Sequence, residues 1–262
     1  MMLYSETSGN GPELVLLHGW GMHSGVWGAV LPGLAGGYRV TRIDLPGHGR
    51  SRVAPGLGLE GLASAVLESV PDNAVWIGWS LGGLVAMQAA LMDGGSCFGL
   101  VPVACSPRFV QGDGWSHAMS PEVLSAFANA LQDDYRATLQ RFLALQARGS
   151  EQANGVLRQL RSELALYEPD RSTLRDGLDV LASTNLVSQL CKIRCPCLFL
   201  MGERDTLVPP DAAWAAARQM PEAVVSVIRG AGHAPFLSHP DEFVSLLQSF
   251  LEQREFAGKR HG

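Results

Sequence analysis

Gly78-Trp79-Ser80-Leu81-Gly82-Gly83 is the stretch on which the reading of this chain turns. It follows the apolar run Ala74 to Gly78 and precedes a helix-compatible run, Leu84 to Met92. A serine with glycine two positions before and two after, set between strand and helix, predicts a sharp turn that bulky neighbours would block. The serine hydroxyl is then left projecting above the end of a sheet. In a chain with 30 glycines among 262 residues the G-x-S-x-G pattern alone is weak, and its context carries the reading.

Working outward, similar short apolar runs end in polar or Gly-rich loops. Leu14 to Leu17 leads to His18-Gly19-Trp20-Gly21, and Tyr38 to Ile43 leads to Asp44-Leu45-Pro46-Gly47-His48-Gly49. Leu100 to Ala104 leads to Cys105-Ser106-Pro107, Cys197 to Met201 to Gly202-Glu203-Arg204-Asp205, and Val224 to Ile228 to Gly230-Ala231-Gly232-His233. Near-continuous apolar runs alternating with helical stretches predict an α/β fold, a mostly parallel doubly wound sheet covered on both faces. Ligands in such sheets meet the C-terminal ends of the strands, where these loops lie.

Between Phe109 and Thr184 the period changes. Apolar residues recur every three or four positions (Val123, Leu124, Phe127, Leu131; Leu139, Phe142, Leu143; Val156, Leu157, Leu160, Leu164), which predicts helices. Ser120 is the expected N-cap ahead of Pro121. The organisation expected is a core of residues 1–108 and 185–262 with a helical lid, 109–184, inserted in it. The stretch from Glu252 to Gly262 reads as a frayed terminus.

Composition narrows the function. With 47% apolar residues and a net charge of only -5, the chain is expected to fold and not to bind nucleic acid through a basic surface. No apolar run approaches the 18 or so residues of a membrane span, and no basic residue precedes Arg39, so the chain reads as cytoplasmic. The five cysteines (Cys97, Cys105, Cys191, Cys195, Cys197) form no disulfide framework. Cys191-Lys192-Ile193-Arg194-Cys195-Pro196-Cys197 has no histidine at ligand spacing and reads as ordinary strand-edge or buried thiols, with no metal.

A serine hydroxyl needs a base within hydrogen-bond reach. Of seven histidines, His233 follows the last strand, as the chain order Ser, Asp, His requires. His18 is expected to serve loop geometry, while His48, His117 and His261 sit in a turn, the insertion and the tail; His23 and His239 flank candidate site loops. Asp205, in the loop after Cys197–Met201, is the expected partner of His233, with Glu203 as its rival. Asp211 reads as the N-cap of a helix beginning near Ala212. Two backbone N–H groups, those of Leu81 and Trp20, are the expected oxyanion donors. The Trp20 indole is expected either to line the pocket or to pack.

These motifs resemble the α/β-hydrolase superfamily over essentially the whole chain. Leu16 to Gly21, Gly78 to Ala86, Arg141-Phe142-Leu143-Ala144-Leu145-Gln146 and His233-Ala234-Pro235-Phe236 with Ser238-His239-Pro240 are more narrowly similar to the pimeloyl-[acyl-carrier protein] methyl ester esterases of biotin synthesis. That resemblance implies a serine carboxylesterase acting on a methyl ester presented by an acyl-carrier protein, with no metal or organic cofactor. It implies substrate contacts at Trp20, Ser80, Leu81, Phe142, Leu143, Ala144, Leu145, Gln146 and His233. A seven-carbon chain suggests an apolar channel, with Trp20, Phe142 and Leu145 as its expected walls. It further implies carrier-protein docking through Arg141 and Arg158. Ala137 and Asn154 stand where the resemblance calls for further arginines, and Arg136 is placed to compensate for the first.

The chain is expected to act as a monomer. The same elbow fits other lidded hydrolases, such as a carbon–carbon bond hydrolase, an aminopeptidase or a general short-chain carboxylesterase, and also a catalytically inactive receptor. Haloalkane dehalogenases and epoxide hydrolases are disfavoured, because Ser80 stands where they carry aspartate.

Overall fold

A computed structural model describes residues 3–253 apart from Gly94 and Ser96. The apolar runs form the strands β1 (Ser5–Ser8), β2 (Glu13–Leu17), β3 (Arg39–Ile43), β4 (Val75–Trp79), β5 (Gly99–Val103), β6 (Cys197–Gly202) and β7 (Ala223–Ile228). They make one seven-stranded sheet in the order β1-β3-β2-β4-β5-β6-β7. Every neighbouring pair is parallel except β1–β3, where Ser5 pairs with Ile43 and Ser8 with Val40. The central strands β4 and β5 are buried at every position, because helices cover both faces. β1 was not among the expected strands: its sequence is Ser-Glu-Thr-Ser, half exposed at the sheet edge, and carries no apolar run.

Helices α1 (Leu31–Ala35), α2 (Gly58–Leu67) and α3 (Leu81–Met92) join the first strands. α3 buries every residue from Leu81 to Ala89, so its pattern is not amphipathic. Between β5 and β6 the chain makes α4 (Pro121–Asp133), α5 (Tyr135–Ala147), α6 (Ala153–Leu166) and α7 (Arg171–Ser183). Ser120 accepts a hydrogen bond from Val123 N–H with Pro121 in the first turn, and Asp134 and Asp170 cap α5 and α7 in the same way. Leu124, Leu131, Leu139, Phe142, Leu143, Val156, Leu160 and Leu164 face inward. Val123 departs from the expected face and is 45% exposed, because its neighbour Leu124 takes the inward position.

The chain ends with α8 (Pro210–Ala217), α9 (Pro235–Ser238) and α10 (Pro240–Gln253). Asp211 is not a cap: Pro209 is the N-cap of α8, and Asp211 sits in its first turn, where its charge complements the helix dipole. The expected fraying from Glu252 is corrected at its start, since α10 runs through Gln253; Arg254 to Gly262, with His261, lies outside the described residues. Among the described residues no helix is long and apolar enough to cross a membrane.

Candidate active site

Ser80 sits between β4 and α3 with φ 54° and ψ -115°, a left-handed backbone that an L-residue adopts only under constraint. The constraint is visible around it. A Cβ on Gly78 would stand 2.2 Å from Gly82 O, and one on Gly82 would stand 2.5 Å from the carbonyl oxygens of Leu17 and His18. Only glycine fits either place, so the turn keeps its shape and the hydroxyl is presented at the sheet's C-terminal edge.

His233 Nε2 lies 3.0 Å from Ser80 Oγ, and its Nδ1 lies 2.8 Å from Asp205 Oδ2. Asp205 Oδ1 accepts hydrogen bonds from Leu207 N–H at 2.8 Å and Val208 N–H at 3.0 Å. Since Oδ2 faces the ring, Nδ1 carries the hydrogen and Nε2 is free to accept from Ser80. All three residues are buried. The loops bearing Asp205 and His233 are pressed together: a Cβ on Gly202 would meet Gly232 O at 2.0 Å. Glu203 points elsewhere, accepting from Gly230 N–H at 2.9 Å, so the imidazole's neighbour is Asp205 and not its rival.

Trp79, which was not among the expected site residues, ties the His233 loop to β4. Its Nε1–H donates to His233 O at 2.7 Å, and its ring packs edge-on against Phe236 at 5.1 Å. Nothing local marked it among the six tryptophans, since the equally buried indole N–H groups of Trp27 and Trp76 have no partner in the protein.

The space beside Ser80 and His233 is an apolar cavity of about 10 Å³, walled by Phe109, Met119, Leu124, Phe142, Leu181 and Leu207. Of the expected contact stretch, only Phe142 reaches it. Leu143 is buried elsewhere, Ala144 is exposed and Leu145 is half-buried, because one helical face cannot present consecutive residues to one cavity. Gln146 is 1% exposed and its amide nitrogen and oxygen have no partner in the protein. Trp20 is also not a wall of this cavity. Its Nε1–H donates to Leu174 O of α7 at 2.8 Å and its ring meets Phe142 edge-on at 4.7 Å, so the indole is packed between the sheet loops and the insertion. Leu81 lines a separate space of about 20 Å³ with Leu45, His48 and Gly177. A larger cavity of about 730 Å³ opens by Glu13, Leu14 and Val75, at the N-terminal ends of strands and away from Ser80.

The other histidines hold loops. His18 Nε2 accepts from Leu45 N–H at 2.9 Å while Nδ1–H donates to Gly19 O at 2.8 Å. His48 Nδ1–H donates to Pro46 O at 3.1 Å. His23 caps the short helix Ser24–Ala29 and faces Glu163 of α6, with 3.4 Å between Nε2 and Oε2. His239 Nδ1 pairs with Ser238 Oγ at 2.8 Å, and His117 lies edge-on to Trp115 at 6.0 Å.

Burial pulls His18 down to about 3, helped by His48, and pulls His48 down to about 4. Asp44 is held at about 2: burial alone would raise it, but hydrogen bonds from Ser24 and Arg50 outweigh that. The histidines' folded values lie below the unfolded value near 6.5, so their contribution is whole above that pH and is lost as the pH falls toward 4 and 3. Asp44 acts in the same direction at lower pH, between 3.8 and about 2. The expected result is a stability loss of about 2 kcal/mol per buried histidine at pH 5 relative to pH 7.5. Thermal melts across that range check it, and a flat midpoint contradicts it.

Arg141 and Arg158 are exposed and, among the described residues, carry no ion pair. Arg136 does not stand free to replace them: its Nε and Nη2 hold Glu168 at 2.9 and 3.2 Å. Arg161 donates to Gln140 at 3.0 Å. Among the described residues no group of three or more His, Cys, Asp or Glu is placed to hold a metal.

A serine on a strained strand–helix turn, backed by an imidazole and a carboxylate, on a parallel sheet with an inserted helical layer, defines a class. The chain belongs to the alpha/beta hydrolase family, whose model matches residues 14–246. Within that class it is 44% identical over 252 residues to the pimeloyl-[acyl-carrier protein] methyl ester esterase of Methylococcus capsulatus, covering 96% of this chain and 99% of the relative. It is 42% identical over 248 residues to the protein of the same name from Photobacterium profundum, covering 94% and 97%. Among solved structures it superposes on an esterase from Exiguobacterium antarcticum with a TM-score of 0.87 at 23% identity, over 95% of each chain, a likeness of fold.

Proposed function

We propose that this protein is a serine esterase that removes the methyl ester from pimeloyl-[acyl-carrier protein] in biotin synthesis, releasing methanol and the carrier-bound acid. The observation that carries this reading is the relay Ser80–His233–Asp205, with steps of 3.0 and 2.8 Å. The near full-length similarity to relatives of that name supports the choice of substrate.

In this mechanism Ser80 Oγ attacks the ester carbonyl as His233 Nε2 takes its proton, and Asp205 stabilises the imidazolium. The N–H groups of Leu81, at the start of α3, and of Trp20 hold the oxyanion. Methanol departs with the proton from His233, and a water deprotonated by the same nitrogen frees the acid. The reading places the protein in the cytoplasm as a monomer whose partner is the acyl-carrier protein, not nucleic acid.

Residues 109–184 serve in this reading as a lid. A cavity of about 10 Å³ does not hold a seven-carbon chain, so the walls supplied by α4, α5 and α7 must move when substrate enters. Across the seam lie Trp20–Leu174, His23–Glu163 and the hydrogen bond from Gly56 N–H to Asp176 at 2.7 Å. Once the lid shifts, the unpartnered Gln146 amide is a natural donor to the substrate, since a buried amide without partners carries a desolvation cost.

Unpaired Arg141 and Arg158 supply cations for an acidic, phosphate-bearing partner. The test compares the methyl ester of carrier-bound pimelate with a free methyl ester. Arg141→Glu combined with Arg158→Glu is expected to lower kcat/KM on the carrier-bound ester about 10-fold or more at low salt and to leave the free ester nearly unchanged. Equal loss on both, or none on either, rejects docking on this face; better turnover of the free ester by the unaltered protein rejects the carrier-bound substrate.

A further inference from the structure

Two thiols face each other at the root of the insertion. Cys97 precedes β5 by two residues and Cys195 precedes β6 by two. These strands are parallel neighbours, with Leu100 opposite Cys197 and Leu100 N–H donating to Pro196 O at 3.0 Å, so the segments leading into them run side by side. Cys97 Sγ and Cys195 Sγ are 3.3 Å apart. Cys97 is buried, whereas Cys195 is half-buried and borders a surface hollow of about 330 Å³ with Lys192 and Arg194 in its wall. The remaining thiols are placed differently: Cys105 and Cys197 are buried and Cys191 is exposed.

We propose that Cys97 and Cys195 form a reversible thiol–disulfide exchange site which, when oxidised, ties together the two segments that bound the helical insertion. The co-reactant is a small-molecule disulfide. The Cys195 thiolate, reachable from the hollow, attacks one sulfur of that disulfide and expels one small thiolate. Cys97 then loses its proton and attacks Cys195 Sγ, and the mixed disulfide breaks to release the second small thiol. Two protein thiols are oxidised and one small disulfide is reduced to two thiols. The 3.3 Å contact between the two thiols lowers Cys195 from its usual value and raises Cys97, which suits Cys195 to the first attack and keeps Cys97 protonated until the mixed disulfide has formed.

The two cysteines are 98 positions apart, and the loop their bond closes contains α4 to α7 entire. A cross-link over so long a loop restricts the unfolded chain strongly, so oxidation acts on stability. Both cysteines lie before the N-terminal ends of their strands, whereas Ser80 follows the C-terminal end of β4, so turnover of a small ester is not expected to change.

The experiment uses the full chain carrying Cys191→Ser, which removes the exposed thiol, incubated with excess oxidised glutathione, acid-quenched, alkylated and mapped by peptide mass spectrometry. The expected product is a Cys97–Cys195 disulfide with an intact mass lower by about 2 Da. Its thermal midpoint is expected to rise by about 5–10 °C and to return on reduction with dithiothreitol. Cys195→Ser in the same background is expected to abolish both changes. Full alkylation of both cysteines after oxidation, a glutathione adduct persisting on Cys195, or a disulfide that leaves the midpoint unmoved would each overturn the proposal. Because the oxidised and reduced forms of one protein are compared, the result does not depend on a variant that folds poorly.

Discussion

The Ser80→Ala variant is expected to keep its fold and to lose about 10⁶-fold in ester turnover, the scale on which a nucleophile that works with its base as one unit is felt. Only the hydroxyl is removed. The left-handed backbone at φ 54° is held by Gly78 and Gly82 and persists with alanine, and the lost contact is the single 3.0 Å bond to His233. Thermal stability should therefore change little. A glycine at the same position should instead be more stable than alanine by about 1 kcal/mol, since it occupies that backbone region without penalty. A fluorophosphonate probe should label the parent protein at Ser80 and fail on both variants. Turnover of a chromogenic ester surviving in Ser80→Ala would remove Ser80 from the reaction.

Asp205→Asn should cost about 10⁴-fold in kcat while leaving the loops in place. The reason lies in how the carboxylate is divided. Oδ1 is committed to the amides of Leu207 and Val208, so an asparagine must put its carbonyl oxygen there and turn its NH₂ toward His233. The imidazole then has to accept at Nδ1 and carry its hydrogen on Nε2, the atom that must receive the proton of Ser80. Glu203→Gln is the control: its side chain serves the Gly230 turn, and turnover should fall only a few-fold. If the two variants lost activity equally, Asp205 would not be the residue that orients the base.

The parts of this molecule that could be read in advance are those where sterics or strand ends leave one solution. Glycine at 78 and 82 is demanded by contacts that any Cβ would violate at 2.2 and 2.5 Å. Asp205 and His233 follow apolar runs, and parallel strands bring the ends of such runs to one edge. β1 could not be read, because an edge strand half in water needs no apolar pattern. In the insertion the helical period was plain but its phase was not: adjacent Val123 and Leu124 both fit the pattern, and tertiary packing chose Leu124. The walls of the cavity were equally hidden. Phe109 and Met119 come from the connection between β5 and α4, Leu181 from α7 and Leu207 from the loop after β6, and nothing local distinguishes them from other buried apolar residues. Trp20 shows the same limit, since its partner Leu174 O lies 154 positions away.

Under the proposed reading of residues 109–184 as a lid, the tightness of the space beside Ser80, about 10 Å³, makes gating a filter. If only a minor population is open, every ligand's apparent affinity is multiplied by that same small fraction, whatever its acyl group. A short free ester has nothing with which to compensate for that loss. A substrate tethered to a large body can compensate, through contacts on the outer faces of α5 and α6 that never approach the reacting carbon. Discrimination of this kind is set by the closed–open equilibrium, so loosening the seam would broaden the range of esters accepted without altering a single atom of the catalytic relay.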